Sequence, residues 1–435
     1  MIVYKFGGTS VGKPDRMRSI AKIISSDTEN KIVVLSALSG TTNTLVSIGD
    51  QLMSGNRDTA RVLIDSLKDH YEGFVNELYN SQHKKAEARV IVSKYFQEID
   101  ALSQIPDFNP GNHKTLLAFG ELLSTNIFTL FLQELNIQAS LINAFDFMKI
   151  TADGEPDLDF LEEKIKPFIQ LDGVYITQGF ICKNHLGQTD NLKRGGSDYT
   201  ASLIGAAINA SAIEIWTDID GMHNNDPRVI DNTKPISHLT FDEAAELAYF
   251  GAKILHPSSI LPAQEKSIPV KLKNTMNPEA AGTTISSTGS GADITAIAAK
   301  DDITAIKIKS TRMLLAYGFL RKVFQVFEDY KTSIDMITTS EVAVSLTIDN
   351  DQYLKAIKKE LTQFGTVAVD ANQSIICLVG SMVSEKKGVL KKIFDALGDV
   401  PVRMVSYGGS RNNISLLVNS QDKKKALINL NEGLF

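Results

Sequence analysis

Beyond residue 300 the chain repeats itself, and an internal repeat constrains a fold more tightly than any single motif. One copy reads Gly318-Phe319-Leu320-Arg321-Lys322-Val323-Phe324, then Ser333-Ile334-Asp335-Met336-Ile337, then Val342-Ala343-Val344-Ser345-Leu346-Thr347-Ile348. The other reads Gly388-Val389-Leu390-Lys391-Lys392-Ile393-Phe394, then Pro401-Val402-Arg403-Met404-Val405, then Ile414-Ser415-Leu416-Leu417-Val418. A lysine-rich helical pattern follows each copy, at 353–361 and 423–430, and a strand pattern precedes each, at 305–309 and 374–379. The order is βαββαβ twice, the ferredoxin-like arrangement. Such a pair either holds a small ligand at a shared interface or only joins copies of the chain.

The first 290 residues follow a different rule. Apolar runs such as Lys31-Ile32-Val33-Val34-Leu35-Ser36-Ala37, Gly173-Val174-Tyr175-Ile176-Thr177 and Ala212-Ile213-Glu214-Ile215-Trp216-Thr217 read as buried strands. Helical periods, at 121–135 and 200–208 among others, lie between them. That alternation predicts a mostly parallel sheet covered on both faces. The stretch 56–105 is charged and helical in period, and reads as a solvated helical hairpin inserted on that scaffold. Residues 277–293 are rich in Gly, Ala, Ser and Thr and read as a linker, with Gly282-Thr283-Thr284-Ile285 open as a last strand.

Chemistry concentrates where strands end. Ile2-Val3-Tyr4 runs into Lys5-Phe6-Gly7-Gly8-Thr9-Ser10. This reads as strand, tight turn and helix start, with glycines that let a ligand approach backbone N–H groups. Lys193-Arg194-Gly195-Gly196-Ser197-Asp198-Tyr199-Thr200 repeats the device, with a cation and an anion beside the glycines. Trp216-Thr217-Asp218-Ile219-Asp220-Gly221, with Asn225-Asp226-Pro227-Arg228, follows a strand end, where ligands collect in open parallel sheets. Phe250-Gly251-Ala252-Lys253-Ile254-Leu255-His256-Pro257 puts Lys253 just before a proline stop, and His256 reads as a hydrogen-bonded structural histidine. Glu121, after Gly120, reads as a first-turn acid opening an apolar helix, and Thr41-Thr42-Asn43 as an ordinary turn. The inventory of cations, glycine-rich helix starts and a few aspartates is that of a phosphoryl-transfer site. It contains no metal-ligand cluster, no Cys/His pair and no G-x-S-x-G.

Composition narrows the class. Apolar content of 43%, charged content of 22% and a net charge of −6 are ordinary for a globular chain and argue against a nucleic-acid partner. No apolar stretch reaches the ~18 residues of a membrane helix, so no membrane partner is expected. The N-terminus lacks the pattern of a signal peptide. Cys182 and Cys377 stand far apart, which fits a reducing cytoplasm and no disulfide.

Taken together and in order, Lys5-Phe6-Gly7-Gly8-Thr9-Ser10, Gly120-Glu121, Arg194-Gly195-Gly196-Ser197-Asp198, Thr217-Asp218 with Asp226-Pro227-Arg228, and Gly251-Ala252-Lys253 with His256-Pro257 closely resemble the aspartokinases. The resemblance covers essentially the whole chain, and the repeat resembles their tandem ACT domains. It implies an α/β chain with the amino acid kinase fold, an αβα sandwich on a mostly parallel open sheet, followed by two ferredoxin-like ACT modules. It divides the chain into a kinase domain at 1–292, a first ACT module at 310–373, and a second at 300–309 plus 374–435, the first being inserted into the second.

The implied reaction is transfer of the ATP γ-phosphoryl group to the side-chain carboxylate of L-aspartate, the first step toward lysine, threonine and methionine. The catalytic residues it implies are Lys5 and Asp198. It implies an ATP site of Lys5, Gly7, Gly8, Thr217, Asp218, His223, Asp226, Arg228, Lys253 and Ile254, and an aspartate site of Thr42, Glu121, Arg194, Gly195, Gly196 and Ser197. The cofactors are ATP with Mg²⁺ carried mainly by the nucleotide, and no metal site of the protein's own. A substrate carboxylate, with a pKa near ~3.9, is already ionised and needs no general base. Glu121 can pair with the substrate ammonium and Arg194 with a carboxylate.

In the first ACT copy, Met313, Ala316, Phe319, Leu320, Ser333, Ile334, Asp335, Ser340 and Glu341 resemble the effector signature of the lysine-sensitive class, so L-lysine is the implied feedback inhibitor, acting on a homodimer or homotetramer joined through ACT modules. Two positions depart from the family. Ala316 stands where a serine is common, and Gly221-Met222-His223 stands where Gly-Ile-Tyr is common. The competing readings are a kinase of another small amino acid on the same fold and a catalytically dead amino-acid sensor. An acylated amine would not call for Glu121, and a dead sensor would have lost Lys5, Arg194 or Asp198.

Overall fold

The computed structural model describes the chain except residues 171, 193–194, 252–254, 290 and 314–316 and the side chains of 257 and 312. It divides into two units, Met1–Met222 with Leu255–Thr288, and His223–Ile254 with Gly289–Phe435.

The first unit is built on a sheet whose neighbouring strands are Ala139–Leu141, Val174–Gln178, Lys31–Leu35, Ile2–Phe6, Ile213–Thr217, Val270–Asn274 and Thr283–Ser286. All of these pair in parallel except the last, which is antiparallel to its neighbour. Lys31–Leu35 is buried along its whole length. That is why it reads as an unbroken apolar run rather than an alternation. Its one charge, Lys31, keeps its ammonium on the Asp27 carboxylate and the Glu29 carbonyl. In Ile2–Phe6, Tyr4 and Phe6 share a face with Trp216, and the Phe6 and Trp216 rings stack with centroids 5.8 Å apart. Strand alternation sends the Lys5 side chain to the opposite face, where helix Gly196–Ile208 packs. The segment expected as a linker contributes Thr283–Ser286, so that stretch adds a strand to this sheet.

Three sequence expectations change here. Glu121 does not open a helix. It lies in the middle of Pro110–Glu134, whose start is fixed earlier by Pro110 and by a reciprocal cap between Asn109 and Asn112. The apolar period had drawn the eye past the polar first turn. That helix is also long and apolar enough to cross a membrane, although 78% of its apolar window is buried inside the protein, as in a core helix. Finally, Thr41-Thr42 is the first turn of helix Thr41–Met53, entered through Gly40 at φ 85°, and not a free turn.

The hairpin is formed by Arg57–Leu78 and Gln82–Ser103. It is solvated on one side only. Tyr71, Phe74, Tyr79, Phe96 and Ile99 are buried in the same core as the sheet. The Tyr79 hydroxyl donates to the Ile127 carbonyl at 2.6 Å, and the Tyr71 hydroxyl bonds the Thr41 hydroxyl at 3.1 Å. The insertion therefore supports the start of helix Thr41–Met53 from behind.

In the second unit a six-stranded antiparallel sheet runs in the order Ile337–Thr339, Ala343–Ile348, Ala296–Lys309, Thr366–Val379, Asn413–Asn419, Met404–Ser406. Its two central strands are long, and each serves both repeats. Ala296–Lys300 pairs with Ile375–Val379 of the second copy. Thr304–Lys309 pairs with Ala343–Ile348 of the first copy on one side and, from Ala305 onward, with Thr366–Asp370 on the other. An irregular register between Lys300 and Ala305, with Asp302 at φ 60°, marks the crossing. Helices Phe319–Asp329 and Val389–Leu397 start after left-handed glycines, Gly318 at φ 78° and Gly388 at φ 77°. Each repeat has its own apolar core.

Phe96 is 1% exposed and lies edge-on to Tyr71 with centroids 6.0 Å apart. Phe96→Ala is expected to lower the unfolding free energy by about 3–5 kcal/mol in guanidinium titration, the cost of a large core cavity.

Candidate active site

The site grows from the carboxyl ends of the parallel strands. Lys5, one residue from the end of Ile2–Phe6, meets Asp198 in the first turn of Gly196–Ile208, Nζ to Oδ1 2.6 Å, with both side chains mostly buried. A Cβ on Gly7 would stand 3.3 Å from that Nζ, and one on Gly8 would stand 3.3 Å from the Ala37 carbonyl. The glycine pair thus lets the turn run against the lysine and against the loop that follows the next strand. Gly195 has φ 77° and caps the helix, and a Cβ there would fall 2.0 Å from the Ser259 hydroxyl. Only glycine fits, for steric and conformational reasons at once.

Glu121 reaches this end of the sheet from the middle of its helix. Its Oε2 accepts from the backbone N–H of Gly179 at 2.8 Å and of Phe180 at 2.6 Å. Its Oε1 accepts from the Ser197 hydroxyl at 3.3 Å, and Ser197 bonds the Ser36 hydroxyl at 2.9 Å. The carboxylate is 4% exposed. Burial pushes its pKa up to about 7, against the opposing pull of the Phe180 and Gly179 amides and the Ser197 hydroxyl. A carboxyl in that state becomes fully ionised when a cation arrives beside it. Helix Pro110–Glu134 packs tightly on Thr41–Met53 at Gly120, where a Cβ would touch Ala37 at 3.0 Å and Leu45 and Thr41 at 3.3 Å. Thr42, next to Thr41 in the first turn of that helix, is exposed.

Thr217 and Asp218 lie at the end of the strand adjacent to Lys5, since Lys5 and Phe6 pair with Ile215 and Trp216. Thr217 donates to the Asp218 carboxylate at 3.2 Å, and its carbonyl accepts from the Thr275 N–H at 2.8 Å. The Ser10 hydroxyl bonds Thr275 at 2.9 Å and ties the two loops together. So Lys5, Gly7, Gly8, Thr42, Glu121, Gly195, Gly196, Ser197, Asp198, Thr217 and Asp218 gather at one end of the first unit's sheet. Arg194, Lys253 and Ile254 lie outside the described residues.

His223, Asp226 and Arg228 belong to the second unit. His223 Nδ1 bonds the Thr233 hydroxyl at 2.8 Å. Asp226 takes the Arg228 guanidinium in a fork, 2.9 Å to Nε and 2.7 Å to Nη2, and that pairing holds the Asp226 carboxyl below its usual range. Among the expected effector residues, Ala316 lies outside the described ones. Met313 is half-buried, Phe319 opens its helix, and Ser340 and Glu341 are exposed. Asp335 has a side chain only 1% exposed and is already paired with Lys300 at 2.7 Å. Sequence reasoning missed Ser36, Gly179, Phe180 and Ser259, which act through backbone or hydroxyl groups. Only Ser36, at the end of a buried strand, stood where a signal could be sought.

Comparison with known proteins identifies the family. The model of the amino acid kinase family matches residues 1–274, and that of an ACT domain matches 306–360 and 376–434. The fold is that of an amino acid kinase followed by a pair of ACT repeats. Lysine-sensitive aspartokinase 3 of Escherichia coli is 35% identical over 453 residues, with 100% of this chain and 99% of that protein covered. The crystal structure of E. coli aspartokinase III in complex with aspartate and ADP (R-state) superposes with a TM-score of 0.83, at 35% identity and with both chains fully covered. Its complex with lysine and aspartate (T-state) gives 0.85 at 35% identity, covering 100% of this chain and 99% of that one. This chain belongs to the aspartokinase family.

The raised Glu121 acid takes up a proton on folding between pH 4.5 and about 7, so its contribution to stability falls as pH rises through that window and is flat above it. The loss amounts to about 3 kcal/mol. Glu121→Gln keeps an acceptor for Gly179 and Phe180 and never ionises. It is therefore expected to be more stable than the parent at pH 8 and about equal at pH 4 in guanidinium unfolding, while binding aspartate far more weakly.

Proposed function

We propose that this chain phosphorylates the side-chain carboxylate of L-aspartate with ATP, giving 4-phospho-L-aspartate, with the residues gathered around Lys5 and Glu121 as its active site. One observation carries the assignment of substrate: a fully buried carboxylate, Glu121, held by two backbone amides at 2.8 and 2.6 Å next to a lysine–aspartate pair. Such a group is a receptor for a free ammonium. An acylated amino acid brings no cation to complete its ionisation, so the attraction a free ammonium gains there is lost.

The division of labour follows. Glu121 takes the substrate ammonium, with Ser197 and Thr42 beside it, and Arg194 takes a carboxylate in a bidentate fork. Lys5, held in place by Asp198, neutralises charge on the phosphoryl group in flight. Fixed charge of this kind needs no rearrangement at the moment of reaction, which is where most of the catalysis of such transfers lies. Gly7 and Gly8 let the phosphates approach the backbone, and Thr217, Asp218, His223, Asp226, Arg228, Lys253 and Ile254 hold the rest of the nucleotide. Mg²⁺ would be carried mainly by the nucleotide, with Asp198 ordering the cations around the phosphates. When bound, Mg²⁺ supplies charge screening between the phosphates.

The regulatory reading is feedback by L-lysine on the first ACT copy, in a cytoplasmic homodimer or homotetramer assembled through these modules, at the entry to lysine, threonine and methionine biosynthesis. The relative described as lysine-sensitive, at 35% identity across the whole chain, supports it.

Lys5→Ala is expected to reduce kcat by on the order of 10²-fold or more in a coupled ADP-release assay. Near-normal turnover would remove Lys5 from the mechanism. Arg194→Ala is expected to raise KM for aspartate by at least about tenfold with KM for ATP little changed, the mark of a lost charge partner in a desolvated site. An unchanged aspartate KM would move the pocket elsewhere.

A further inference from the structure

Within the second unit, Tyr249, Lys300, Asp335 and Asp349 form a closed cluster that the reaction does not use. Lys300 Nζ bonds Asp335 at 2.7 Å and Asp349 at 2.8 Å. It also lies 4.9 Å from the centre of the Tyr249 ring, within cation–π range. The Tyr249 hydroxyl donates to the same Asp335 oxygen, Oδ1, at 3.3 Å. The other oxygen, Oδ2, is buried and has no hydrogen-bond partner among the described residues. Two acids and one base leave the cluster one negative charge in excess. Desolvation pushes the Asp335 carboxyl up, with Lys300 only partly offsetting it. A buried carboxylate with one oxygen committed twice and the other not at all has room for one more cation.

What makes the cluster consequential is its connection to the neighbouring backbone. Tyr249 is the last residue of helix Phe241–Tyr249. Two residues on, Gly251 has φ 124°, and a Cβ there would stand 2.3 Å from the Ala299 carbonyl, so its backbone lies directly on the residue before Lys300. The rest of the helix is bolted to the same unit. Glu243 accepts from Thr295 at 2.9 Å, and Glu246 accepts from Ser410 at 2.6 Å and from Asn413. Any cation that draws the Asp335 carboxylate toward Oδ2 weakens its hold on Lys300 and Tyr249. The helix end and the Gly251 turn lose a fixed support, and Gly251 opens the Gly-Ala-Lys segment that leads to Lys253.

We propose that Tyr249 and Lys300 are positioning residues that pass the occupancy of Asp335 by the ammonium of L-lysine to the Gly251 turn, and so to ATP affinity. This rests on the lysine-feedback reading above and adds the route by which it works. Neither residue touches substrate.

The test uses the full-length enzyme, with lysine binding followed by calorimetry and KM for ATP followed with and without saturating lysine. In the parent, lysine should bind and raise KM for ATP. Tyr249→Phe keeps the ring and both ion pairs but loses the donor to Asp335. It should bind lysine within about threefold of the parent, keep its basal kcat, and lose about fivefold or more of the lysine effect on KM, the lower range of allosteric coupling. Lys300→Met should do the same, and Lys300→Arg should restore the effect. Tyr249→Phe alone decides the matter if Lys300→Met folds poorly. Lysine binding with an undiminished KM effect in Tyr249→Phe overturns the relay and leaves the feedback reading standing. Absence of lysine binding to the parent overturns both, while aspartate kinase activity is measured separately in the same assay.

Discussion

The catalytic end of this protein is organised around a carboxylate taken out of water. Glu121 sits in the middle of a 25-residue apolar helix and is 4% exposed, a placement that costs several kcal/mol for an ionised group without partners. The chain offsets this by turning two backbone amides, Gly179 and Phe180, toward one oxygen and the Ser197 hydroxyl toward the other. Those partners are the turn after one strand and the start of the next long helix. Satisfying one acid therefore fixes the relative position of three elements, and Lys5 and Asp198 are brought together by the same helix start. The compensation is incomplete by design of the arrangement: the remaining deficit is what an incoming ammonium removes, so binding energy is drawn from folding energy.

The sequence made much of this legible, and the physics explains which parts. Strands buried on both faces announce themselves as unbroken apolar runs, and the repeat revealed both regulatory modules. The glycine pairs at 7–8 and 195–196 pointed to the site because their need is local: a turn, a close approach, a positive φ. Boundaries were harder. Glu121 was misplaced to a helix start because the residues before it are mixed, and the true cap, Asn109 with Pro110, lies eleven or twelve positions upstream. Thr41 and Thr42 looked like a turn because a helix entered through a left-handed glycine leaves no capping side chain to notice. Ser36, Gly179 and Phe180 were invisible for a different reason. They act through backbone groups and a hydroxyl, and composition at those positions carries no signature of what the fold brings near.

The regulatory unit shows the same asymmetry. Asp335 was found by its position in the repeat, yet its actual partner, Lys300, lies on a strand thirty-five residues away. Tyr249 comes from a helix that precedes the repeats altogether. Pairings across elements depend on topology, and the crossing of the two modules on Ala296–Lys309 is what sets Lys300 against Asp335.

The shared strands have a consequence for how such a chain can be divided or rearranged. Ala296–Lys309 and Thr366–Val379 each run through both repeats, so the two repeats share the centre of one sheet. Separating the repeats would sever both central strands of that sheet. A pair built in this way is truncated or transplanted as one object.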